Sequence, residues 1–272
     1  MISETKIRLS GDREIPVELI RCPADLSELA RPERQQELRR IFERPGIVVV
    51  DGAIETDILE GLREGLSDER RKFKDKFNKG VPTSESFKRA HGLATGRIKE
   101  LTEKLFGYRL TEKGDRSYRP MITELEPLHF DTYHVECGKT ALMSVLNFDV
   151  RPRVWNVGPS FREMCSQHGD EVQTILKDLK PGESPSVPLR SAGLKNVGPL
   201  REGTPVHQIE FAPGAVWYAN PKTISHQIIY GGGAQFETWK IDEPRCGCQV
   251  CVIEEAGLSV PNLSRTVPAA TA

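Results

Sequence analysis

Apolar residues recur in two rhythms along the chain, and the change from one to the other divides it. The first forty or so residues read as helical and charged. Through residues 31–44, Leu38, Ile41 and Phe42 fall at helical spacing among alternating charges, and Pro45-Gly46 closes the run. Residues 47–50 are an unbroken Ile-Val-Val-Val run ended by Asp51-Gly52, the mark of a short buried strand. Residues 54–76 return to helical periodicity, with a charged face that reads as solvated. Residues 78–95 are polar and glycine-containing and predict a mobile loop, and residues 97–106 predict a third helix.

From about Tyr118 the rhythm shortens. Residues 121–125, 140–148, 154–155, 206–211, 216–219, 224–230 and 236–241 are short strand-like runs. Turn signals separate them: Cys137-Gly138, residues 147–152, Pro213-Gly214, Asn220-Pro221 and Gly231-Gly232-Gly233. Many short strands with such punctuation predict a mainly β sandwich or barrel with flanking helices. Residues 160–179 interrupt it with helical spacing. Residues 181–203, rich in Pro, Gly and Ser, predict a surface loop. The expectation is a single domain over residues 1–260: a helical layer (1–117), a β core (118–260), and a flexible tail (261–272).

Composition narrows the classes. The chain of 272 residues carries 38 Lys plus Arg against 39 Asp plus Glu, a net charge of −1. That balance leaves no electrostatic footprint for nucleic acid or an anionic membrane. No apolar run approaches a membrane span, and the first residues lack a secretory pattern. Six cysteines in such a chain do not suggest a disulfide framework, so a cytoplasmic location is expected.

Candidate chemistry concentrates in Leu128-His129-Phe130-Asp131-Thr132-Tyr133-His134. Read as a strand, it projects His129, Asp131 and Tyr133 to one face and Phe130, Thr132 and His134 to the other. A histidine and a carboxylate on one inward face are two members of a 2-His-1-carboxylate triad, which holds Fe(II) and leaves positions open. His226, within residues 223–230, stands where the second histidine is needed. His134 competes with His129 but faces away from Asp131. Taken singly, His-x-Asp is common without a metal, and a lone histidine on an apolar strand is usually core. Together they gain weight, because each half falls on a strand of the β-rich region.

These residues carry a resemblance. His129-Phe130-Asp131 with the distal His226 resembles the iron(II)- and 2-oxoglutarate-dependent oxygenases, whose core is a double-stranded β-helix, or jelly roll. Residues 147–161, containing Arg153-Val154-Trp155, are similar to a segment of bacterial octulosonic-acid (Kdo) hydroxylases. So is Phe211-Ala212-Pro213-Gly214-Ala215-Val216-Trp217 leading to Ser225-His226. The similarity spans about residues 118–241. It implies a cupin-like jelly roll behind an N-terminal helical layer, with Fe(II) on His129, Asp131 and His226. It also implies 2-oxoglutarate as co-substrate, and dioxygen and a small polar metabolite as partners. A C–H bond of that metabolite is hydroxylated, desaturated or cyclised.

One departure bears on the co-substrate. Many relatives hold its far carboxylate with an arginine about ten residues after the distal histidine, where this chain has Gln235-Phe236-Glu237-Thr238-Trp239. A buried carboxylate needs a cationic partner. Arg153 is the best alternative, with Arg119 and Lys240 behind it. Tyr133, Asn147 and Trp217 are candidates to line the pocket. The missing arginine also motivates a cupin-like iron oxygenase or oxidase without 2-oxoglutarate. A non-catalytic β-sandwich binding protein is the third reading.

Two further motifs compete for attention. Cys246, Cys248 and Cys251 offer three thiolates for structural zinc, the fourth ligand coming from Cys22, Cys137, Cys165 or a histidine. Gly231-Gly232-Gly233 lacks the context of a phosphate loop and predicts a hairpin turn.

Overall fold

The computed structural model describes residues 3–8, 14–23, 26–43, 45–72, 80–108, 110, 116–120, 128–131, 139–180, 183–191, 206–242 and 249–259. The chain opens with strands β1 (Ser3–Arg8) and β2 (Glu14–Pro23), then short helices α1 (Leu26–Leu29), α2 (Pro32–Leu38) and α3 (Arg40–Glu43). Strand β3 (Gly46–Asp51) leads to helices α4 (Thr56–Lys72) and α5 (Glu85–Phe106). The β-rich half holds β4 (Arg116–Arg119), β5 (Lys139–Asn147), β6 (Arg153–Ser160), α6 (Phe161–Gln167), α7 (Gly169–Leu176) and α8 (Ser186–Ser191). It continues with β7 (His207–Phe211), β8 (Val216–Ala219), β9 (Ile224–Tyr230), β10 (Ala234–Asp242) and α9 (Gln249–Glu255).

The strands form two sheets. The larger runs β1-β2-β3-β8-β5-β10-β4 and the smaller runs β7-β6-β9. An isolated antiparallel bridge between His129 and His226 extends the smaller sheet beyond β9. All pairings are antiparallel except β2 with β3. The set β4-β10-β5-β8 facing the 129 segment, β9, β6 and β7 has the strand order of a jelly roll, and β1 to β3 widen its larger sheet.

Period-2 alternation assigns each strand residue to one of two cores. Val49, Val145, Trp217 and Phe236 lie across from one another in register and meet Trp155, Phe211 and Ile228 of the smaller sheet. Val48, Val50, Leu142, Leu146, Tyr218 and Trp239 point the other way, under α2, α4 and α5. Strand β3 is therefore buried on both faces, as its four consecutive aliphatic residues require. A third cluster joins Leu128 and Phe130 to Phe161, Met164 and Leu176.

Helices α4 and α5 pack closely because Gly65 has no side chain: a Cβ there would stand 2.8 Å from the Phe87 backbone. Glu69 of α4 ties three segments together. Its buried carboxylate accepts hydrogen bonds from the Thr83 and Ser84 amides at the start of α5, from the Thr83 hydroxyl, and from the Tyr118 hydroxyl (3.0 Å) on β4. Burial works against the charge, yet these donors hold its pKa down at about 2.

Several sequence expectations need correction. The first forty residues are not all helical: β1 and β2 occupy much of them. Ile15, Val17 and Leu19 do alternate with Pro16 and Glu18, but a proline within a run argues against a strand. The helix read over residues 31–44 breaks at Arg39 into α2 and α3. The loop read over residues 78–95 is mostly helix, since α5 starts at Glu85; its buried stripe here is Phe87, Ala90, His91 and Ala94. Residues 181–203 hold α8, with Leu189 fully buried. The strand-like run 121–125 and the tail 261–272 lie outside the described residues. Other strands and the helical stretch 160–179 stand within a few residues of expectation.

Candidate metal centre

The site is assembled by backbone pairing. The His129 amide donates to the His226 carbonyl (3.1 Å) and the His226 amide to the His129 carbonyl (2.9 Å). Residues directly opposite in such a pair put their side chains on the same face. The two imidazoles thus lie with ring centroids 4.6 Å apart. Asp131, two residues on, shares that face, and its amide is held by the Pro221 carbonyl (3.0 Å). Of the described residues 128–131 of this segment, only His129 is paired as a strand, and Thr132, Tyr133 and His134 lie outside the described residues. Phe130 turns away as predicted and packs edge-on against Phe161.

One carboxylate oxygen of Asp131 lies 3.7 Å from His129 Nε2 and 3.8 Å from His226 Nε2. The three donor atoms are within 4.8 Å of one another. Metal–donor bonds of about 2.0–2.2 Å place neighbouring ligands about 3 Å apart, so closure by about 1–2 Å would complete a chelate. His226 Nδ1 lies 3.2 Å from the Ile224 carbonyl. A proton held there leaves the Nε2 lone pair for a metal. Burial disfavours the Asp131 charge, but the hydrogen bond from His129 and the charges of His226, His129 and Arg119 outweigh it and keep the carboxyl below its ordinary range. Two buried imidazoles and a half-buried carboxylate fit a divalent transition metal.

Arg153 stands out among the cations. It is fully buried at the start of β6, two residues before Trp155, whose indole stacks on the His226 ring. Among the described residues, its guanidinium makes one hydrogen bond, a long one from Nη1 to the Gly232 carbonyl (3.4 Å), while Nε and Nη2 have no partner. Burial, then repulsion from Arg119, lowers its pKa to about 9, and Asp149 offsets part of this. Such a group lacks an anion. The triple glycine turn shapes this place: a Cβ on Gly231 would meet Arg153 Nη1 at 2.5 Å, and Gly232 and Gly233 lie equally tight against Asp149 and Phe148. The turn reading of these glycines holds, but not the hairpin: β9 lies in the smaller sheet and β10 in the larger, so the turn carries the chain from one sheet to the other.

Arg119 pairs opposite Ala234 and so faces the inter-sheet space, 5.4 Å over the Phe236 ring; Arg153 lies 5.7 Å over that ring. The Lys240 side chain lies outside the described residues. Asn147 is no pocket residue: its side-chain amide donates to the Arg151 and Phe211 carbonyls and pins the turn. Trp217 is core, stacked 3.9 Å on Phe211. Cys246 and Cys248 lie outside the described residues, and no cluster of three candidate ligands among the described residues includes Cys251, so zinc gains no support. Trp155 escaped the sequence reading; its place beside His226 depends on the β6–β9 register, which no local motif announces.

Solved structures supply the comparison. A Kdo hydroxylase, KdoO, described as a non-heme Fe(II) and α-ketoglutarate dependent dioxygenase, matches with succinate and Fe(III) bound at a TM-score of 0.63, 15% identity, and coverage of 90% of this chain and 97% of that one. Its complex with α-ketoglutarate and Fe(III) matches at 0.64 and 16%, covering 89% and 96%. The cobalt(II) complex matches at 0.64 and 14%, covering 93% and 98%. The chain shares the jelly-roll fold of these dioxygenases. No protein-family model and no curated protein sequence matches it. Among the described residues, no helix is long and apolar enough to cross a membrane.

Proposed function

We propose that the chain is a non-heme Fe(II)- and 2-oxoglutarate-dependent oxygenase that hydroxylates a C–H bond of a small polar molecule. The observation that carries this reading is the convergence of His129, Asp131 and His226 inside a jelly roll of KdoO-like fold. When bound, iron with 2-oxoglutarate and dioxygen supplies an oxidant strong enough for an unactivated C–H bond, with succinate and carbon dioxide as co-products. His129 and His226 offer neutral nitrogen donors and Asp131 the charged oxygen. That leaves the remaining coordination positions to co-substrate and dioxygen.

Arg153 is the group we assign to the far carboxylate of 2-oxoglutarate. Its unmatched Nε and Nη2 are fork donors, and a carboxylate would both satisfy them and neutralise a buried charge. Arg119, over the same aromatic ring, adds positive charge suited to an anionic group on the molecule to be oxidised. The same site explains the missing arginine after His226. Ten residues after His226 stands Phe236, over whose ring both Arg119 and Arg153 lie, while the neighbouring Glu237 faces α5 and accepts a hydrogen bond from Thr95 (2.6 Å).

Anaerobic titration with Fe(II) tests the reading. The intact protein should bind Fe(II) and develop a weak visible charge-transfer band with 2-oxoglutarate, and His129→Ala or Asp131→Ala should weaken binding by at least about 100-fold. A protein that binds no iron is not this enzyme, and the binding-protein reading would then stand. Product formed at full rate with no oxo-acid consumed would favour the cupin-like alternative.

A further inference from the structure

Trp155 combines two properties that do not meet in Trp217, the other buried tryptophan whose N–H has no acceptor among the described residues. Its indole lies nearly parallel to the His226 imidazole, with centroids 5.1 Å apart and planes at 25°. Elsewhere it is held by the edge-to-face contacts with Phe211 and Trp217, each at 5.5 Å. A ring fixed by two aromatic neighbours presents a rigid flat wall to the histidine. The second property is polar. Trp155 is 1% exposed, and its Nε1–H is buried with no acceptor among the described residues. Indole nitrogen only donates, and leaving a buried donor unmatched is unfavourable.

The pattern along β6 sharpens the point. Trp155 and Arg153 are successive residues on the inward face of one strand. Both carry buried donors without acceptors. Val157, next on that face, stands opposite His226 in the sheet. Unmatched donors thus run in a row from beside the metal ligand to the Gly231–233 turn. A single ligand rich in oxygen, lying along this row, satisfies them together.

We infer that Trp155 is a positioning residue of the metal centre: its face fixes the His226 ring, and its N–H donates to an oxygen of the oxo-acid bound beside the metal. The inference rests on the metal-centre reading above. It assigns two separable roles to one side chain, and two substitutions separate them. Trp155→Phe keeps an aromatic face and removes the N–H. Trp155→Leu removes both.

Co(II) alone, followed by visible absorption, is the probe, with 2-oxoglutarate added to the cobalt-loaded protein. Trp155→Phe should bind Co(II) within about threefold of the parent with the same absorption bands, and bind 2-oxoglutarate about tenfold more weakly. Trp155→Leu should lose about tenfold in Co(II) affinity and shift the Co(II) bands, because the His226 ring is freed. Unchanged 2-oxoglutarate affinity in Trp155→Phe overturns the donor role. Unchanged Co(II) affinity and bands in a folded Trp155→Leu overturn the positioning role. If Trp155→Leu does not fold, Trp155→Met, which also lacks an aromatic face, carries the second arm. A parent protein that takes up no Co(II) defeats the metal-centre reading itself, a result distinct from either.

Discussion

At the scale of single residues, the fold tolerates an unusual cost. Arg153 is a cation with no exposure and two unmatched nitrogens. Replacing a buried unpaired charge by a well-packed apolar side chain is commonly neutral or stabilising. Arg153→Met should therefore leave the thermal midpoint of the ligand-free protein unchanged or raise it, while cutting 2-oxoglutarate affinity by about 100-fold or more. Calorimetry of both variants, with and without the oxo-acid, checks the pair of outcomes; a large loss of stability without ligand would mean that Arg153 is a structural residue. The triad was legible in the sequence because alternation places His129 and Asp131 on one face and the run around His226 reads as a strand. Arg153 was legible as the first choice among three cations. What singles it out in the structure is that its buried Nε and Nη2 find no acceptor among the described residues, which is a property of three-dimensional surroundings.

At the scale of elements, the Glu69 carboxylate joins α4, the start of α5 and the edge strand β4 that carries Arg119. Its folded pKa of about 2 lies below the ordinary 4.5. A depressed carboxyl contributes stability that is fully present above about pH 4.5 and is lost as the pH falls toward 2. The size is roughly 3 kcal/mol. Glu69→Gln should lower stability at pH 7 by an amount of that order and flatten the acid limb of a stability–pH curve, read by urea denaturation at several pH values. This joint was invisible in the sequence. A lone Glu in a charged helix reads as solvated surface, and the polar, glycine-containing stretch ahead of α5 hid the helix start that it caps. The N-terminal strands were missed for a related reason: a β strand draws its stability from neighbours, here β3, so local composition says little about β2. By contrast β5 and β7 to β10 were legible, because Pro-Gly, Asn-Pro and triple-Gly turns bound them closely.

At the scale of the whole molecule, the proposed metal binding would be linked to folding. A ligand that binds only the folded state adds about 2.7 kcal/mol when present at 100 times its dissociation constant. Co(II) should therefore raise the melting temperature of the parent protein and have no such effect on Asp131→Ala, a difference measurable by calorimetry. The two histidines that make this linkage stand about a hundred residues apart in the sequence and meet through one isolated bridge between their backbones. A chain emerging from the ribosome exposes His129 and Asp131 long before the last ligand is made. Until β9 has been synthesised and docked, only two of the three proposed ligands are in place, so on the proposed reading a half-built chain holds a redox-active ion far more weakly than the finished fold.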